Sequence, residues 1–269
     1  MKSILFNAFP GGANRALTFS YDDGVTQDRR LVEIFNRHGM KGSFHLNAGL
    51  LGRKPRHLDA DEVAELFAGH EISGHSLTHP FLDHIPLAAV TQQTLADRRI
   101  LESLAGYPVR GMSYPYGTTS NAVMEQLGAL GMEYSRTAKA TRSFDLPEDP
   151  LRWHPTCHHN HDIATLGQEF HARADRYGNR QHLLYVWGHS YEFDNDDNWE
   201  MMEAFCASMA NHPRTWYATN IEIIDYLAAQ ASLRFSVDCS IVHNPSAQSV
   251  WLTADGQLQE VAAGSTVSL

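Results

Sequence analysis

Short apolar runs alternate with amphipathic stretches along most of the chain. The apolar run at residues 16–20 predicts a strand, and the helical period of Asp28–His38 predicts a helix that Gly39 ends. The same pattern predicts further strands at residues 43–46, 71–73, 109–114, 183–187 and 215–218. It predicts further helices at residues 59–68, 87–104, 123–130, 199–210 and 221–229. Polar residues and prolines dominate residues 138–180, where the pattern is weakest.

Strand–helix alternation repeated this often is typical of an α/β fold with a parallel sheet or barrel. In such folds the chemistry lies where strands end and loops begin. From residue 233 the period changes to short strands separated by turn residues. We therefore predict a main domain over residues 1–232 and a small β extension over residues 233–269 that packs on it.

Composition narrows the class of protein. The formal net charge of −10 argues against a nucleic-acid partner, because neutralising phosphates needs a basic face. The chain shows no apolar stretch long enough for a membrane span and no signal-peptide pattern at its start, so we expect a cytoplasmic protein that meets short soluble substrates. Three scattered cysteines do not form a disulfide framework. The 16 histidines justify a search for metal-ligand spacing.

Two motifs follow predicted strands. Asp22 and Asp23 are adjacent carboxylates before a glycine, an arrangement that is costly unless a cation lies between them or one is protonated. His75 and His79 are four residues apart, a spacing at which two imidazoles can chelate one ion. A solvated turn and a polar surface loop are the alternatives. If both motifs lie at one sheet edge, they offer a catalytic metal site with positions open for water.

Two more segments end at the same predicted edge. Pro115-Tyr116-Gly117 follows a strand and offers backbone N–H groups suited to an oxyanion hole, although it is equally compatible with a plain turn. A continuous apolar strand ends at Gly188-His189, beside the indole of Trp187.

These four segments, in this order, resemble the polysaccharide deacetylases with NodB homology (carbohydrate esterase family 4). The resemblance covers residues 16–226 and implies a distorted, incomplete (β/α) barrel. It implies an enzyme that removes N- or O-linked acetyl groups from sugars with one divalent metal. Zinc is our first expectation for that metal, and Co, Ni or Mn are alternatives.

The resemblance also assigns roles to individual residues. It implies that the metal activates a water, that a carboxylate takes the water's proton, and that a histidine protonates the leaving group. The residues concerned are Asp22 (base), Asp23, His75 and His79 (metal ligands), Tyr116 (oxyanion N–H), His189 (acid) and Trp187 (wall of the acetyl pocket).

The sequence departs from the family pattern in two places. Ser113 stands where the third motif usually has an arginine, and Arg110 is a candidate replacement. The usual Asp- and Trp-containing fourth motif, which orients the acid histidine, has no clean match. Residues 152–155, Glu192 and Asp194 are candidates for that task.

Other polar residues are weaker candidates. His45 and Asn47 end the second predicted strand, where a contact with substrate and a purely structural role are equally open. Residues 157–161 (Cys-His-His-Asn-His) suggest a metal cluster, but no partner pair of matching spacing is present, so a polar loop near the cleft is preferred.

The sequence thus predicts a metal-dependent deacetylase that acts on N-acetyl groups of acetylated oligo- or polysaccharides. An esterase for O-acetyl groups, for example on xylan, is the first alternative, and a catalytically inactive carbohydrate-binding protein is the second. A metal phosphoesterase is disfavoured because no Arg or Lys cluster accompanies the motifs. The oligomeric state and the sugar stay open.

Overall fold

A curled sheet of parallel strands forms the centre of the molecule. The computed structural model describes residues 1–53 and 55–269. The strands of the chain are Ile4–Leu5 (β1), Arg15–Asp23 (β2), Gly42–Leu46 (β3), Glu71–Gly74 (β4), Gly111–Ser113 (β5), Tyr134–Arg136 (β6), Cys157–His158 (β7), His182–Gly188 (β8), Thr215–Tyr217 (β9), Arg234–Phe235 (β10), Ile241–His243 (β11), Val250–Ala254 (β12), Gln257–Val261 (β13) and Thr266–Ser268 (β14). The helices are Asp28–His38 (α1), Val63–Leu66 (α2), Leu87–Ala105 (α3), Asn121–Ala129 (α4), Ile163–Arg176 (α5), Glu192–Asn195 (α6), Trp199–Met209 (α7) and Asn220–Ala231 (α8).

The main sheet has the strand order β6-β5-β4-β3-β2-β8-β7, and every neighbouring pair in it is parallel. β9 pairs with the first three residues of β2, while β3 pairs with its last five. β6 and β7 form the two edges. The predicted distorted, incomplete (β/α) barrel is therefore confirmed. Because all strands run the same way, their carboxyl ends meet at one rim.

β2 is the central strand, and all nine of its residues are buried. Successive side chains point to opposite faces of a strand. Phe19 packs against Phe35 and Phe205 in the helical layer, with ring centroids 4.5 and 6.1 Å away. Thr18, one position earlier, faces the interior of the barrel and donates a hydrogen bond to Asn220 (2.9 Å). Residues in register with Thr18, Asp22 among them, therefore face inward.

The C-terminal strands form two small antiparallel sheets. β10, β11 and β14 make one sheet, and β12 and β13 make the other together with β1. Ile4 pairs with Ala254, so the β extension includes the beginning of the chain. The sheet of β12 is held to α8 by the hydroxyl of Tyr226, which accepts a hydrogen bond from the backbone N–H of Trp251 (3.0 Å). The boundary at residue 232 stays a prediction.

Some elements differ from the sequence expectation. The weakly patterned segment 138–180 contains α5, whose buried residues Ile163, Leu166 and Phe170 have helical spacing. β6 and β7 are also unpredicted, because two or three residues are too few for a periodic signal. In the described part of the chain, no helix is both long enough and apolar enough to cross a membrane.

Candidate active site

Asp22, at the carboxyl end of β2, is a buried carboxylate with two strong partners. Arg136 of β6 forms an ion pair with its Oδ2, and the hydroxyl of Ser113 donates a hydrogen bond to its Oδ1 (2.9 Å). Burial is the largest single influence and would raise the pKa of Asp22, but the guanidinium of Arg136 and the neighbouring imidazoles together outweigh burial and hold that pKa well below its usual range. Asp22 is therefore a carboxylate at neutral pH, as a general base must be.

The expectation that Arg110 reaches Asp22 is wrong. Arg110 precedes β5 and lies toward the opposite end of the strand, where its guanidinium binds both carboxylate oxygens of Asp225 (2.7 Å each) and one of Glu133 (2.9 Å). Arg136 provides the cation instead. Arg136 is the register partner of Ser113 on the neighbouring strand. An arginine therefore lies beside Ser113, the position at which the family motif usually has one.

Asp23, His75 and His79 come together as predicted from their motifs. The Nε2 atoms of His75 and His79 lie 3.8 and 3.7 Å from Oδ1 of Asp23. The Nδ1 atom of His75 donates to the backbone carbonyl of Ser113 (2.9 Å), which directs the lone pair of Nε2 toward Asp23. Burial lowers the pKa of His75 to about 4, so the ring is neutral at pH 7 and its lone pair is free.

Two residues of this three-residue set have a strained backbone. Asp23 has φ 82° and His79 has φ 62°, in the left-handed region that non-glycine residues seldom occupy. Such conformations cost about 1–3 kcal/mol each and cluster at functional sites. The ligand atoms of Asp23, His75 and His79 all lie within 4.8 Å of one another, and one carboxylate with two imidazoles is a donor set that suits a divalent transition metal.

His189 follows β8 and is held by Glu192, one turn later in the chain. The Nδ1 atom of His189 lies 3.2 Å from Oε1 of Glu192, and its backbone N–H donates to Oε2 (3.1 Å). Burial acts to lower the pKa of His189, but the hydrogen bond to Glu192 and the charge of Asp22 outweigh it and raise that pKa. Of the three candidates for orienting His189, Glu192 is thus the one in contact with it.

Asp194 and the segment at residues 152–155 are engaged elsewhere. Asp194 accepts hydrogen bonds from Gln27 (2.8 Å) and from the indole of Trp199 (2.7 Å). Trp153 is buried against the rings of Tyr134 and Tyr185, away from the rim.

The histidine-rich segment after Cys157 also reaches Glu192. Nε2 of His158 lies 3.0 Å from Oε2 of Glu192, and Nε2 of His159 lies 3.3 Å from the same oxygen. The backbone N–H of Asn160 donates to Nδ1 of His158 (3.2 Å), which places the proton of a neutral His158 on Nε2, facing Glu192. A metal would need the Nε2 lone pair, so this tautomer favours a hydrogen-bonded network over a second metal site.

Trp187 and Tyr116 lie at the rim as expected. The guanidinium of Arg136 sits 4.3 Å from the centre of a Trp187 ring, so the indole stacks on the ion pair of the base. Tyr116 has φ 60° and its ring is stacked on Phe81, with centroids 3.6 Å apart. The ring of His79 packs against the same tyrosine at 4.5 Å. The stack holds the turn that carries the Tyr116 backbone N–H.

His45 and Asn47 are not among the residues that line the cavity, which favours the structural role over a contact with substrate. His45 is fully buried, and burial lowers its pKa to about 3, so it is a neutral imidazole beneath the rim. Asn47 is also fully buried and donates hydrogen bonds to the backbone carbonyls of His75 (2.6 Å) and Ser76 (2.7 Å). Asn47 thus supports the loop that carries the two metal-ligand candidates.

One cavity of about 540 Å³ joins these groups at the rim. Its charged and titratable lining residues are Asp22, Asp23, Arg56, His57, His75, His79, Tyr114, Tyr116, Arg136, Tyr191 and His189. Two arginines, Arg56 and Arg136, therefore border the site, although the sequence shows no Arg or Lys cluster beside the motifs. A larger cavity of about 620 Å³ lies between α8 and residues 245–248, remote from the rim; its carboxylates, Glu222 and Asp225, are already paired with Lys41 and Arg110.

Residues 11–135 match the sequence profile of the polysaccharide deacetylase family. The matched region contains the Asp22–Asp23 pair, both histidines of the metal-ligand set and the Pro-Tyr-Gly turn, which are three of the four segments that carry the resemblance. Over this part the chain is similar to the polysaccharide deacetylase family.

Individual relatives show the same similarity. A peptidoglycan-N-acetylglucosamine deacetylase, PgdA, of Listeria monocytogenes is 26% identical over 131 residues, which are 45% of this chain and 26% of that protein. A chitin deacetylase of Pestalotiopsis sp. is 28% identical over 138 residues, which are 51% of this chain and 45% of that protein. The matched segment thus spans about a quarter of the length of the Listeria protein and less than half of the length of the Pestalotiopsis protein.

A solved structure shares the fold over a longer range. It is a Pseudomonas aeruginosa PAO1 protein described as a polysaccharide deacetylase, and it superposes with a TM-score of 0.62 at 16% identity, covering 80% of this chain and 91% of its own. At that identity the likeness concerns the fold alone, and the shared fold continues beyond residue 135.

Proposed function

We propose that this protein belongs to the polysaccharide deacetylase family and is a metal-dependent hydrolase that removes N-acetyl groups from acetylated oligo- or polysaccharides. One observation carries the proposal: a single cavity contains an ionised carboxylate, an imidazole with a raised pKa and a separate Asp-His-His set. These are the general base, the general acid and the ligand set that metal-assisted amide hydrolysis needs.

Asp23, His75 and His79 would hold the metal, and zinc fits one carboxylate with two imidazoles best. When bound there, the ion would supply a Lewis acid to the acetyl carbonyl. The supporting contact is that of Ser113, whose carbonyl accepts from His75 and whose hydroxyl donates to Asp22. One residue thereby fixes both the base and a ligand of the metal.

The chain's own residues would carry the protons. Asp22 accepts the proton of the attacking water, and its ion pair with Arg136 keeps it ionised. His189 has Nδ1 engaged by Glu192, which leaves Nε2 to donate a proton to the leaving nitrogen. The backbone N–H of Tyr116 is the proposed donor to the oxyanion, and Trp187 is the proposed wall of the acetyl pocket.

O-acetyl esters remain the alternative substrates. An amine is a poorer leaving group than an alkoxide unless it is protonated, so an acid whose pKa is raised favours amides. Nothing in the cavity excludes an ester of the same acetyl group.

Acetate release tests the function directly. The purified protein, with zinc supplied, is offered N-acetylated chitooligosaccharides, acetylated xylan oligomers and an aryl acetate, and acetate is measured. We expect release from the N-acetyl oligosaccharides and its loss in Asp22→Asn. Acetate release from the xylan oligomers alone would indicate an esterase. Absence of acetate release from all three substrates would indicate a carbohydrate-binding protein.

Loss of one metal ligand should abolish metal binding. We expect His79→Ala to lose most bound metal after dialysis, because two ligands hold a divalent ion much more weakly than three. Elemental analysis of the dialysed protein measures this. His243→Ala is the matched control, since His243 lies in the C-terminal β11 and bonds to Thr266. Equal metal content in the wild type and His79→Ala would contradict the assignment.

A further inference from the structure

The mouth of the cavity carries a cation that no step of the proposed hydrolysis uses. Arg56 lines the cavity, and 57% of its side chain is exposed to solvent. Its Nη2 lies 3.2 Å from Oδ2 of Asp23, and its guanidinium stacks 4.9 Å from the ring centre of Tyr191. The contact with Asp23 occupies one of the five N–H donors of the guanidinium.

The backbone around Arg56 is fixed to the catalytic loop. The carbonyl of Arg56 accepts from the N–H of Thr26 (2.9 Å), and the N–H of Leu58 donates to the carbonyl of Gly24 (3.0 Å). Between them, Val25 and His57 form an antiparallel bridge. Arg56 therefore has a defined place beside Asp23, which lowers the entropy cost of using it to bind a ligand.

The other charged groups at the base and the acid already have partners. Arg136 forms an ion pair with Asp22, and Nδ1 of His189 lies 3.2 Å from Oε1 of Glu192. Arg56 contacts Asp23 with one nitrogen at 3.2 Å, so its solvent-exposed guanidinium keeps donors for an anion that enters the cavity from solvent.

We propose that Arg56 binds a carboxylate of the substrate, so that the preferred substrate is an acidic saccharide with a carboxylated sugar at or next to the acetylated unit. This inference rests on the proposed deacetylase function. The planar fork of a guanidinium matches a carboxylate with two parallel hydrogen bonds. Because Arg56 contacts Asp23, the carboxylate it binds lies within about one sugar of the acetyl group that is cleaved.

The kinetic test compares two substrates of equal length. One is a neutral N-acetylglucosamine oligomer, and the other replaces the neighbouring sugar by a carboxylated one. We expect the wild type to prefer the acidic oligomer, and Arg56→Gln to reduce the ratio of the two kcat/KM values by about 10- to 100-fold, mainly through KM. Arg56→Lys should keep part of the preference, because it keeps the charge and loses the fork.

Arg53→Gln is the matched control. Arg53 is an exposed arginine of the same loop and is not among the residues that line the cavity. We expect it to keep the wild-type ratio. A wild type without preference for the acidic oligomer, or equal losses on both substrates in Arg56→Gln, would overturn the proposal, since the second result would assign Arg56 to the support of Asp23.

A binding measurement separates this inference from the proposed function. Calorimetry with a non-acetylated acidic oligosaccharide is done on the wild type and Arg56→Gln, and elemental analysis checks the metal content of both. We expect wild-type affinity to be about 10-fold higher and to fall with added salt. If no acetate is released but the wild type still binds more tightly than Arg56→Gln, the deacetylase function is refuted and the anion site is retained. If the two affinities are equal, the anion site is refuted.

Discussion

Replacing Arg136 with Gln is expected to lower kcat/KM by roughly 10²–10⁴ and the free energy of unfolding by about 3–5 kcal/mol. Both effects have one cause. Asp22 and Arg136 are almost fully buried, so removing the cation leaves a buried carboxylate without its ion-pair partner, and burial then raises its pKa. A protonated Asp22 can no longer accept a proton. Steady-state kinetics and urea unfolding measure the two effects.

Arg110→Gln is the matched control for this prediction. Like Arg136, Arg110 forms ion pairs; its partners are Asp225 and Glu133, which lie away from the rim. About a third of the Arg110 side chain is exposed to solvent. We expect a loss of stability of about 1 kcal/mol or less and unchanged kcat. Arg136→Lys tests the role if Arg136→Gln fails to fold, because it restores the charge. Equal kinetic losses in Arg110→Gln and Arg136→Gln would rule out the assigned role of Arg136.

The second large effect is expected from His189→Ala, which should lower kcat by roughly 10²–10⁴ on an N-acetyl sugar. The loss should be much smaller on an aryl acetate, whose leaving group needs no proton. Asp22→Asn should damage both reactions, since both need the water activated. Losses of equal size on the two substrates for His189→Ala would exclude the general-acid role.

Glu192→Gln tests how the acid is tuned. His189 acts while protonated, so kcat/KM falls as pH rises through its pKa, which Glu192 raises above the usual value of about 6.5. Removing the charge of Glu192 lowers that pKa, and the alkaline limb of the pH profile should move to lower pH. Asp194→Asn is the control, because Asp194 contacts Gln27 and Trp199. An unmoved limb in Glu192→Gln would show that the limb reports another group.

The parts of the site that the sequence predicts are those carried by contiguous motifs at strand ends. Asp22 with Asp23, and His75 with His79, follow apolar strands, and parallel strands bring such positions to one rim. His189 is found by the same logic. None of these predictions requires the order of strands in the sheet.

The partners of these residues depend on that order. Arg136 meets Asp22 because β6 lies beside β5 and pairs Ser113 with Arg136, which no local pattern records. Arg110 is a wrong choice for a related reason. It precedes Ser113 by three residues, and a strand rises about 3.3 Å per residue, so the two lie about 10 Å apart along β5. Glu192 is one of three candidates that the sequence leaves open for orienting His189. The turn after His189 brings Glu192 into contact with it.

The pairing of β1 with β12 has a consequence for how the chain folds during synthesis. Every strand of the main sheet lies within residues 15–217, so all of its strands can pair before the C-terminal strands are synthesised. Ile4 and Leu5 leave the ribosome before the strands of the main sheet, yet their pairing partners Thr253 and Ala254 are made after those strands. Contacts between residues so far apart in sequence form late in folding, because the loop-closure entropy must be lost before the contacts stabilise the chain. Residues 4–5 are therefore made before the main sheet and become ordered after it.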